Sequence, residues 1–214
     1  MGKDKEKTRG EISKIMQEKI NTLSTFDFLW SSCKKFWQTT WLPYSNFFKD
    51  KTCIDIGIWK GILPARAKKE FNLTTEIGVE PNETHRIDCK KLNLSTKLYA
   101  HIEDLPDMIK TDIVLLHGVI CLMGTNWRRE LENLFSKVNC EHVHVRHQDG
   151  DLFRSGRPNI IEYERETNRY NLSSYKDSPA SNDLIEFFND KGFDLIDKKT
   201  LSVQDIIMIF KKQS

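Results

Sequence analysis

The stretch "DIGIWKG", residues 55–61, follows a short apolar run and can form a turn that binds a ligand. Gly57 and Gly61 have no side chain, so a ligand can lie against the backbone there. Asp55 adds a carboxylate, which repels phosphate groups and attracts an ammonium group. The stretch also lacks the G-x-G-x-x-G spacing that a dinucleotide pyrophosphate requires. These residues favour a ligand that carries a positive charge and no phosphate.

A second acidic residue follows at the end of the next strand-like run. Glu80 lies about 20 residues beyond the turn, where an acidic side chain can accept hydrogen bonds from both hydroxyls of a ribose. Neither the turn nor Glu80 is specific alone. Their order along the chain, with a strand before each and a helix between them, is moderately specific for a nucleoside-containing ligand.

The stretch "HVHVRHQDGD", residues 142–151, contains side chains that transfer protons or bind metals. In a strand, His142 and His144 share one face and His147 lies on the other. A metal site needs three or four converging ligands, so we disfavour it. We expect His147 and Asp149 just past the strand, at the rim of the ligand crevice. There His147 could accept a proton from a hydroxyl or an amine, since its ordinary pKa is about 6.5; a polar rim residue is the alternative.

Alternating strand and helix patterns from about residue 50 would position these side chains. Strand-like runs lie at residues 51–58, 75–80, 96–102, 112–120 and 141–147, with helical patterns at 61–71, 83–93 and 126–138. This alternation predicts parallel strands with helices on both faces of the sheet. A helix at 181–192 and strands at 193–201 and 205–212 follow a long polar stretch. Only "SVQ" joins those last two strands, which is too short for a parallel crossover, so they must be antiparallel.

The N-terminal segment shows a charged run and helical patterns instead of alternating strands and helices. Residues 1–9 are a charge run, and helical spacing follows at 12–23 and 26–41. We divide the chain into a flexible tail with a helical cap, residues 1–48, and an α/β domain, residues 49–214. Trp30, Trp37 and Trp41 lie in the cap. We favour core packing for them, and the walls of an acceptor pocket are the alternative.

Composition excludes several classes of function. The net charge of +2 gives no support to nucleic-acid binding, and no apolar run approaches the roughly 18 residues that span a membrane. The five cysteines have no CxxC spacing, which is typical of free thiols in a reducing cytoplasm and argues against a zinc site. No hydrophobic stretch follows the charged N-terminus, so we expect no secretory signal and a cytoplasmic protein.

Residues 50–214 resemble the class I S-adenosylmethionine-dependent methyltransferases. "DIGIWKG" stands where that family has an acidic residue followed by Gly-x-Gly-x-Gly, "IGVEPN" at its ribose-binding acid, and "HIEDLP" after its third strand. The C-terminal helix and strands, residues 186–212, match its closing elements. The resemblance implies a Rossmann-like three-layer α/β/α sandwich. Its seven-stranded, mostly parallel sheet would have an antiparallel last strand, and its cofactor would be S-adenosyl-L-methionine.

The resemblance also implies roles for individual residues. The methionine moiety would face Asp55, Gly57 and the backbone of Ile58 and Trp59, in the turn that Gly61 completes. Two departures from the family bear on these roles. Trp59 replaces the middle glycine, as a similar tryptophan does in some members. His101 stands where the family often has an adenine-binding aspartate.

The nucleoside and the acceptor would lie at the ends of later strands. Glu80 would hold the ribose hydroxyls. The residues implied beside the adenine are Pro81, Asn82, His101, Ile102 and Glu103. His117 and Gly118, at the end of the fourth strand, would lie under the sulfonium and the acceptor. His117 and His147 are therefore the candidate catalytic residues.

The function that we expect is transfer of a methyl group to a small polar or anionic acceptor, with O-methylation favoured. The insertion at residues 154–177, rich in arginine and tyrosine, would cover the acceptor; a solvated loop is the alternative. One rival is a catalytically silent relative that acts as a binding or interaction module, which Trp59 and His101 favour. The other is a nicotinamide-dependent oxidoreductase, which the missing glycine pattern and the terminal hairpin oppose. The sequence leaves the oligomeric state open.

Overall fold

The computed structural model describes residues 25–92, 94–148, 162–164, 169–171, 178–201 and 205–213. Its centre is a seven-stranded sheet. The strands of that sheet are β1 (Thr52–Ile56), β2 (Thr74–Val79), β3 (Lys97–Tyr99), β4 (Ile109–His117), β5 (Val138–Gln148), β8 (Phe193–Thr200) and β9 (Asp205–Lys212). A separate hairpin, β6 (Glu162–Glu164) with β7 (Arg169–Asn171), lies within the long polar stretch.

Helices connect the strands. The α-helices are α1 (Thr25–Phe36), α2 (Ser45–Phe48), α3 (Ile62–Phe71), α4 (Glu83–Lys91), α5 (Trp127–Lys137) and α6 (Ser181–Asp190). A π-helical turn at Trp37–Trp41 and 3₁₀ turns at Leu42–Tyr44, Ile102–Asp104 and Ile120–Asn126 complete the set. Local chemistry sets several ends. The Asn82 side chain, for example, caps α4 by accepting from the backbone N–H of His85 at 3.2 Å.

The strand order is β3-β2-β1-β4-β5-β9-β8. β1 pairs in parallel with β2 and β4, and β9 is antiparallel to both β5 and β8. The predicted α/β fold with an antiparallel last strand is confirmed, and so is the terminal hairpin inferred from loop length. The direction of strand progression reverses between β1 and β4, which is where sheets of this kind bind ligands.

Two apolar layers cover the two faces of the sheet. On one face, Ile54 and Ile56 of β1 share a core with Leu134 of α5 and with Phe187 and Phe188 of α6. Because side chains alternate along a strand, Cys53 of β1 faces the other layer. That second core contains the N-terminal segment and α3, with Trp37, Trp41, Phe48 and Phe71.

The tryptophans of the N-terminal segment are core residues. Trp37 and Trp41 are 3% and 0% exposed, and their rings stack with centroids 5.9 Å apart. Trp37 also stacks on Phe71 of α3 at 5.0 Å. Neither lines the cavity described below. The structure therefore agrees with core packing rather than with acceptor-pocket walls for this pair.

Parts of the sequence predictions lie outside the described residues. These parts are the tail at 1–9, the helical pattern at 12–23, Asp149, and most of the arginines and tyrosines of the insertion. Within the insertion, Tyr163 and Tyr170 pair across β6 and β7. In the part of the chain that the structure describes, no helix has the length and apolar character needed to cross a bilayer.

Replacing Trp41 tests the importance of the N-terminal layer. Trp41→Ala removes a fully buried indole and should lower the free energy of unfolding by about 3–5 kcal/mol. Leu42→Ala is the matched control, since Leu42 is the next residue and is 47% exposed. Urea unfolding of both variants gives the comparison. Equal, small losses would show that this segment does not stabilise the domain.

Candidate functional site

A cavity of about 640 Å³ opens at the carboxyl ends of β1, β2 and β4. Its position coincides with the reversal of strand order between β1 and β4. The predicted site residues in its lining are Gly57, Trp59, Glu80, Pro81, Asn82, His101, Ile102, Glu103, His117 and Gly118. Parallel pairing explains the convergence, because it brings the ends of neighbouring strands to one edge of the sheet.

The glycine turn after β1 lies close against β2 and the β4 loop. Gly57 has φ +79° and donates its N–H to the carbonyl of Val79 at 2.7 Å. A Cβ at Gly57 would lie 3.2 Å from Cγ2 of Val119, so a larger residue would be both strained and crowded. Because Gly57 has no side chain, the backbone itself forms this part of the cavity floor.

Trp59 adopts a left-handed conformation, with φ +53°. This backbone geometry costs a residue other than glycine roughly 1–2 kcal/mol. Its N–H donates to Oε2 of Glu80 at 3.0 Å. We expected that N–H to be available to a ligand, and it is engaged within the protein instead. The indole lines the cavity and packs edge-on against His85 at 6.0 Å.

Two backbone N–H groups, one on each carboxylate oxygen, hold the Glu80 side chain in one orientation. Oε2 accepts from Trp59, and Oε1 accepts from the N–H of Asn82 at 2.9 Å. Arg86 donates to the carbonyl oxygens of Glu80 and Pro81, which fixes the end of β2. Each carboxylate oxygen has more than one lone-pair direction, so Glu80 can still accept from a ligand hydroxyl.

Asp55 lies in β1, is 5% exposed and is not among the residues that line the cavity. Burial, with a further contribution from Glu80, raises the pKa of Asp55 to about 8. Asp55 forms no ion pair with any residue in the described ranges. The site therefore contains a buried carboxyl group that lacks a positive partner.

Two further predicted residues also lie outside the lining. Ile58 is buried and packs against Gly78 of β2. Gly61 begins α3 with φ +73°, and a Cβ there would lie 2.6 Å from Sγ of Cys89. In this structure, both contribute to the packing of the turn.

His117 ends β4 at the cavity wall. Its Nε2 lies 2.8 Å from Nδ1 of His144, and its ring packs against Phe36 and Trp41 at 5.9 and 5.2 Å. Burial, with additional effects from His144 and Arg146, holds the pKa of His117 well below its ordinary 6.5. The imidazole is therefore uncharged at neutral pH.

His147 does not lie at the rim, and that prediction was wrong. β5 continues to Gln148, so His147 is inside the strand and on the face opposite His144. It is 1% exposed, with Nε2 2.8 Å from the carbonyl oxygen of Pro179 and 3.3 Å from Oγ of Ser178. The cavity lining does not include it.

Sequence reasoning missed one wall of the cavity. Residues 119–130, in the 3₁₀ turn after β4 and the start of α5, supply Val119, Leu122, Met123, Asn126, Arg129 and Glu130. We predicted that the strand would continue to residue 120. The cluster "GTN" at 124–126 is a turn signal that indicated an irregular segment here.

Comparison with known proteins gives a match in fold. No family model matches the chain, and no curated protein matches its sequence. Among solved structures, the plantazolicin methyltransferase BpumL, in complex with a monoazolic desmethylPZN analog and SAH, has a TM-score of 0.60 at 17% identity. The alignment covers 96% of this chain and 91% of that one. The fold is that of the class I S-adenosylmethionine-dependent methyltransferases.

Two further structures extend the methyltransferase comparison. The 1,6-didemethyltoxoflavin-N1-methyltransferase of Burkholderia thailandensis, with bound 1,6-didemethyltoxoflavin and S-adenosylhomocysteine, has a TM-score of 0.54 at 13% identity, covering 100% of this chain and 94% of that chain. The N-methyltransferase NodS of Bradyrhizobium japonicum WM9 has a TM-score of 0.58 at 10% identity, covering 89% and 98%. The resemblance in fold drawn from the sequence motifs is confirmed.

Asp55→Asn tests the buried carboxyl through the pH dependence of stability. The pKa of Asp55 is about 8 in the folded state and about 3.9 when unfolded. Its contribution to stability is full below the unfolded value and is lost as the pH rises through the folded value. Wild type should therefore lose stability relative to Asp55→Asn between about pH 5 and pH 8.

Asp112→Asn is the control for this experiment. Burial works to raise the pKa of Asp112, but hydrogen bonds from Thr52 together with the charges of Lys51 and His142 outweigh it, and the net shift is downward. The stability that Asp112 contributes is lost only at acid pH, so its variant should stay at a constant deficit over the same range. Chemical unfolding across the pH series measures both. A constant offset for Asp55→Asn would contradict a raised pKa.

Proposed function

We propose that this protein is an S-adenosylmethionine-dependent methyltransferase that methylates a hydroxyl group of a small polar or anionic acceptor. The observation that carries the proposal is the buried carboxyl of Asp55, which has no cation partner among the described residues and interacts with Glu80 across the glycine turn. A ligand with an ammonium group and a ribose complements both acids.

The cavity fits such a ligand in three respects. Its volume of about 640 Å³ lies within the range of small-molecule sites, roughly 300–1,000 Å³. Gly57 leaves room for close approach to the backbone, because a Cβ there would fill the space toward Val119. Glu80 presents a carboxylate whose orientation is already fixed, which lowers the entropic cost of binding ribose hydroxyls. In this proposal, Pro81, Asn82 and residues 101–103 lie around the adenine.

The chain's own contribution to methyl transfer is binding, orientation and exclusion of water. When bound, the cofactor supplies a methyl group on a positively charged sulfur. His117 is uncharged, so it does not repel that charge at the end of β4. Gly118 follows with φ +68°, and no atom of the described residues lies within 4 Å of its Cβ position, which leaves room for an acceptor on this side.

The acceptor assignment rests on polar groups rather than on the comparisons. Asn126, Arg129 and Glu130 line one wall, and the arginine- and tyrosine-rich insertion at 154–177 follows β5. Two of the structural neighbours are named as N-methyltransferases, so the likeness in fold does not select oxygen over nitrogen. His147 has no part in the proposed chemistry, because it lies on the opposite face of the sheet.

The two rival functions make different demands on the turn. A nicotinamide dinucleotide would place a pyrophosphate near the carboxylate of Glu80, in a turn that lacks the G-x-G-x-x-G spacing that a pyrophosphate requires. A silent interaction module would require that the turn no longer binds a cofactor. Trp59 and His101 are the residues that favour this alternative, yet the turn closes around Trp59, whose N–H is bonded to Glu80.

Calorimetry with S-adenosylhomocysteine and NADH separates these functions. We expect saturable binding of S-adenosylhomocysteine and none of NADH. Incubation with methyl-labelled cofactor and metabolite pools then identifies the acceptor, and the chemistry of the product shows whether oxygen or nitrogen is methylated. If the folded protein binds neither S-adenosylhomocysteine nor NADH, the interaction module is the remaining function.

Glu80→Gln should weaken binding of S-adenosylhomocysteine. The change removes the charge from two hydroxyl contacts, each worth about 1.5–3 kcal/mol, so affinity should fall by at least about tenfold. Glu76→Gln is the control, because Glu76 is exposed on the same strand. Titration calorimetry of the two folded variants gives the ratio. Equal affinities would show that Glu80 does not bind the ribose.

Gly57→Ala should damage binding more than Trp59→Ala does. Alanine at position 57 is strained at φ +79° and lies within 3.2 Å of Val119 at the cavity floor, whereas Trp59→Ala only opens a wall. Gly192→Ala is a matched control for strain, because Gly192 has the same φ and nothing within 4 Å of its Cβ position. In S-adenosylhomocysteine titrations, Gly192→Ala should bind most tightly, Trp59→Ala less tightly and Gly57→Ala most weakly. Normal binding by Gly57→Ala would place the cofactor elsewhere.

A further inference from the structure

The strand order places the base of a bound nucleoside on the β3 side of the cavity. In the proposed function, Glu80 at the end of β2 holds the ribose, and the turn after β1 faces the amino-acid end of the cofactor. The sheet runs β3-β2-β1-β4, so β3 lies on the side of β2 away from that turn. Because the ribose joins the two ends of the cofactor, the base lies beyond β2. Residues 100–103, which follow β3, line the cavity there.

The 3₁₀ turn at Ile102–Asp104 already uses several of its hydrogen-bond acceptors. The carbonyl of His101 accepts from the N–H of Asp104 at 3.2 Å, and the carboxylate of Asp104 accepts from the N–H of His101 at 3.0 Å. The carbonyl of Glu103 accepts from Nζ of Lys137, in α5, at 3.2 Å. Since these acceptors are engaged, a base with an amino group needs a further acceptor at this wall.

Glu130 of α5 brings a carboxylate to the same part of the cavity. The cavity lining includes both Glu130 and Glu103, and the Glu130 side chain is 15% exposed. Glu130, Leu134 and Lys137 share one face of α5, because residues three and four positions apart are neighbours on a helix. Lys137 holds this face against the 3₁₀ turn by donating to the carbonyls of Glu103 and Leu105 at 3.2 and 2.8 Å. Glu130 therefore lies on the face of α5 that is turned toward the residues after β3.

The protein itself holds the Glu130 carboxylate only weakly. Among the described residues, its ion-pair partner is the adjacent Arg129, with Nη2 3.4 Å from Oε1. The Arg129 side chain is 73% exposed, so water screens the pair. The carboxylate can thus accept a hydrogen bond from a ligand in the cavity.

We propose that Glu130 selects the base of the cofactor by accepting a hydrogen bond from the exocyclic amino group of adenine. An ionised carboxylate has acceptors only, so it binds an N–H group and repels a carbonyl oxygen. Hypoxanthine and guanine carry an oxygen in place of that amino group, so both are rejected. This role rests on the proposed function, since it requires that S-adenosylmethionine binds in this cavity. Of the polar groups on the wall, Glu130 is thus assigned to the cofactor, and Asn126 and Arg129 remain for the acceptor.

S-inosylhomocysteine is the probe for this role. It differs from S-adenosylhomocysteine in carrying an oxygen in place of the amino group and a hydrogen on the neighbouring ring nitrogen. Titration calorimetry of the full wild-type chain should show at least about tenfold tighter binding of S-adenosylhomocysteine, the effect of one hydrogen bond to a charged group. In Glu130→Gln the amide can donate as well as accept, so the ratio of the two affinities should fall toward one.

Two matched variants serve as controls. Glu132→Gln changes an exposed residue of the same helix that is not part of the cavity lining, and Glu103→Gln changes the exposed carboxylate at the same wall. Both should keep the wild-type ratio. Glu130 also lies in the first turn of α5, where a negative charge stabilises the helix. Loss of that stabilisation alone would weaken both ligands equally, so the ratio separates base recognition from a structural role.

The outcomes distinguish this role from the proposed function. Equal affinities for the two ligands in wild type, an unchanged ratio in Glu130→Gln, or a ratio that falls in Glu103→Gln instead would each overturn the role of Glu130. In all three cases S-adenosylhomocysteine still binds, so the proposed function stands. A folded wild type that binds neither ligand would refute the proposed function, and base selection by Glu130 with it.

Discussion

The hydrogen bond from the Trp59 backbone to the Glu80 carboxylate joins the two halves of the cavity floor. Parallel pairing of β1 and β2 brings the turn and the acid to the same edge of the sheet. The bond then makes the shape of the turn depend on an ionised side chain from the neighbouring strand. The other oxygen of Glu80 holds Asn82, which begins α4, so one carboxylate organises both connections.

This bond also explains how a tryptophan occupies a left-handed position. A hydrogen bond to a charged group contributes more than one between neutral groups, so it can offset the backbone strain at residue 59. The indole then gains burial against residues of the N-terminal layer and α3, which glycine could not provide. A departure from the family pattern that raised doubt about cofactor binding is thus compatible with a closed turn.

Periodicity and loop length predicted the sheet, its terminal hairpin and the position of the cavity. Gly57, Glu80 and His117 were identifiable because each lies at the end of a parallel strand. The prediction for His147 was wrong because it assumed that β5 ends before this residue. β5 continues to Gln148, so the side chain of His147 stays within the sheet.

Other features depend on contacts between distant parts of the chain. The rings around His144 come from residues 44–48, almost 100 positions away, and no local pattern connects them. The wall at residues 119–130 depends on a kink at Gly124, where the chain leaves helical geometry. The orientation of Glu80 depends on backbone N–H groups, which sequence does not distinguish from one residue to the next.

The packing of the N-terminal layer against one face of β4 and β5 divides the origin of the cavity's surroundings along the chain. The groups that we propose to bind a nucleoside come from residues 55–103, whereas the surroundings of the imidazole at the end of β4 come from residues 36–48 and from β5. Different stretches of the chain therefore form the two parts of the same cavity. A substitution within residues 36–48 can therefore change the burial of His117, and with it the pKa of the imidazole, without replacing any residue of the cavity lining between 55 and 103.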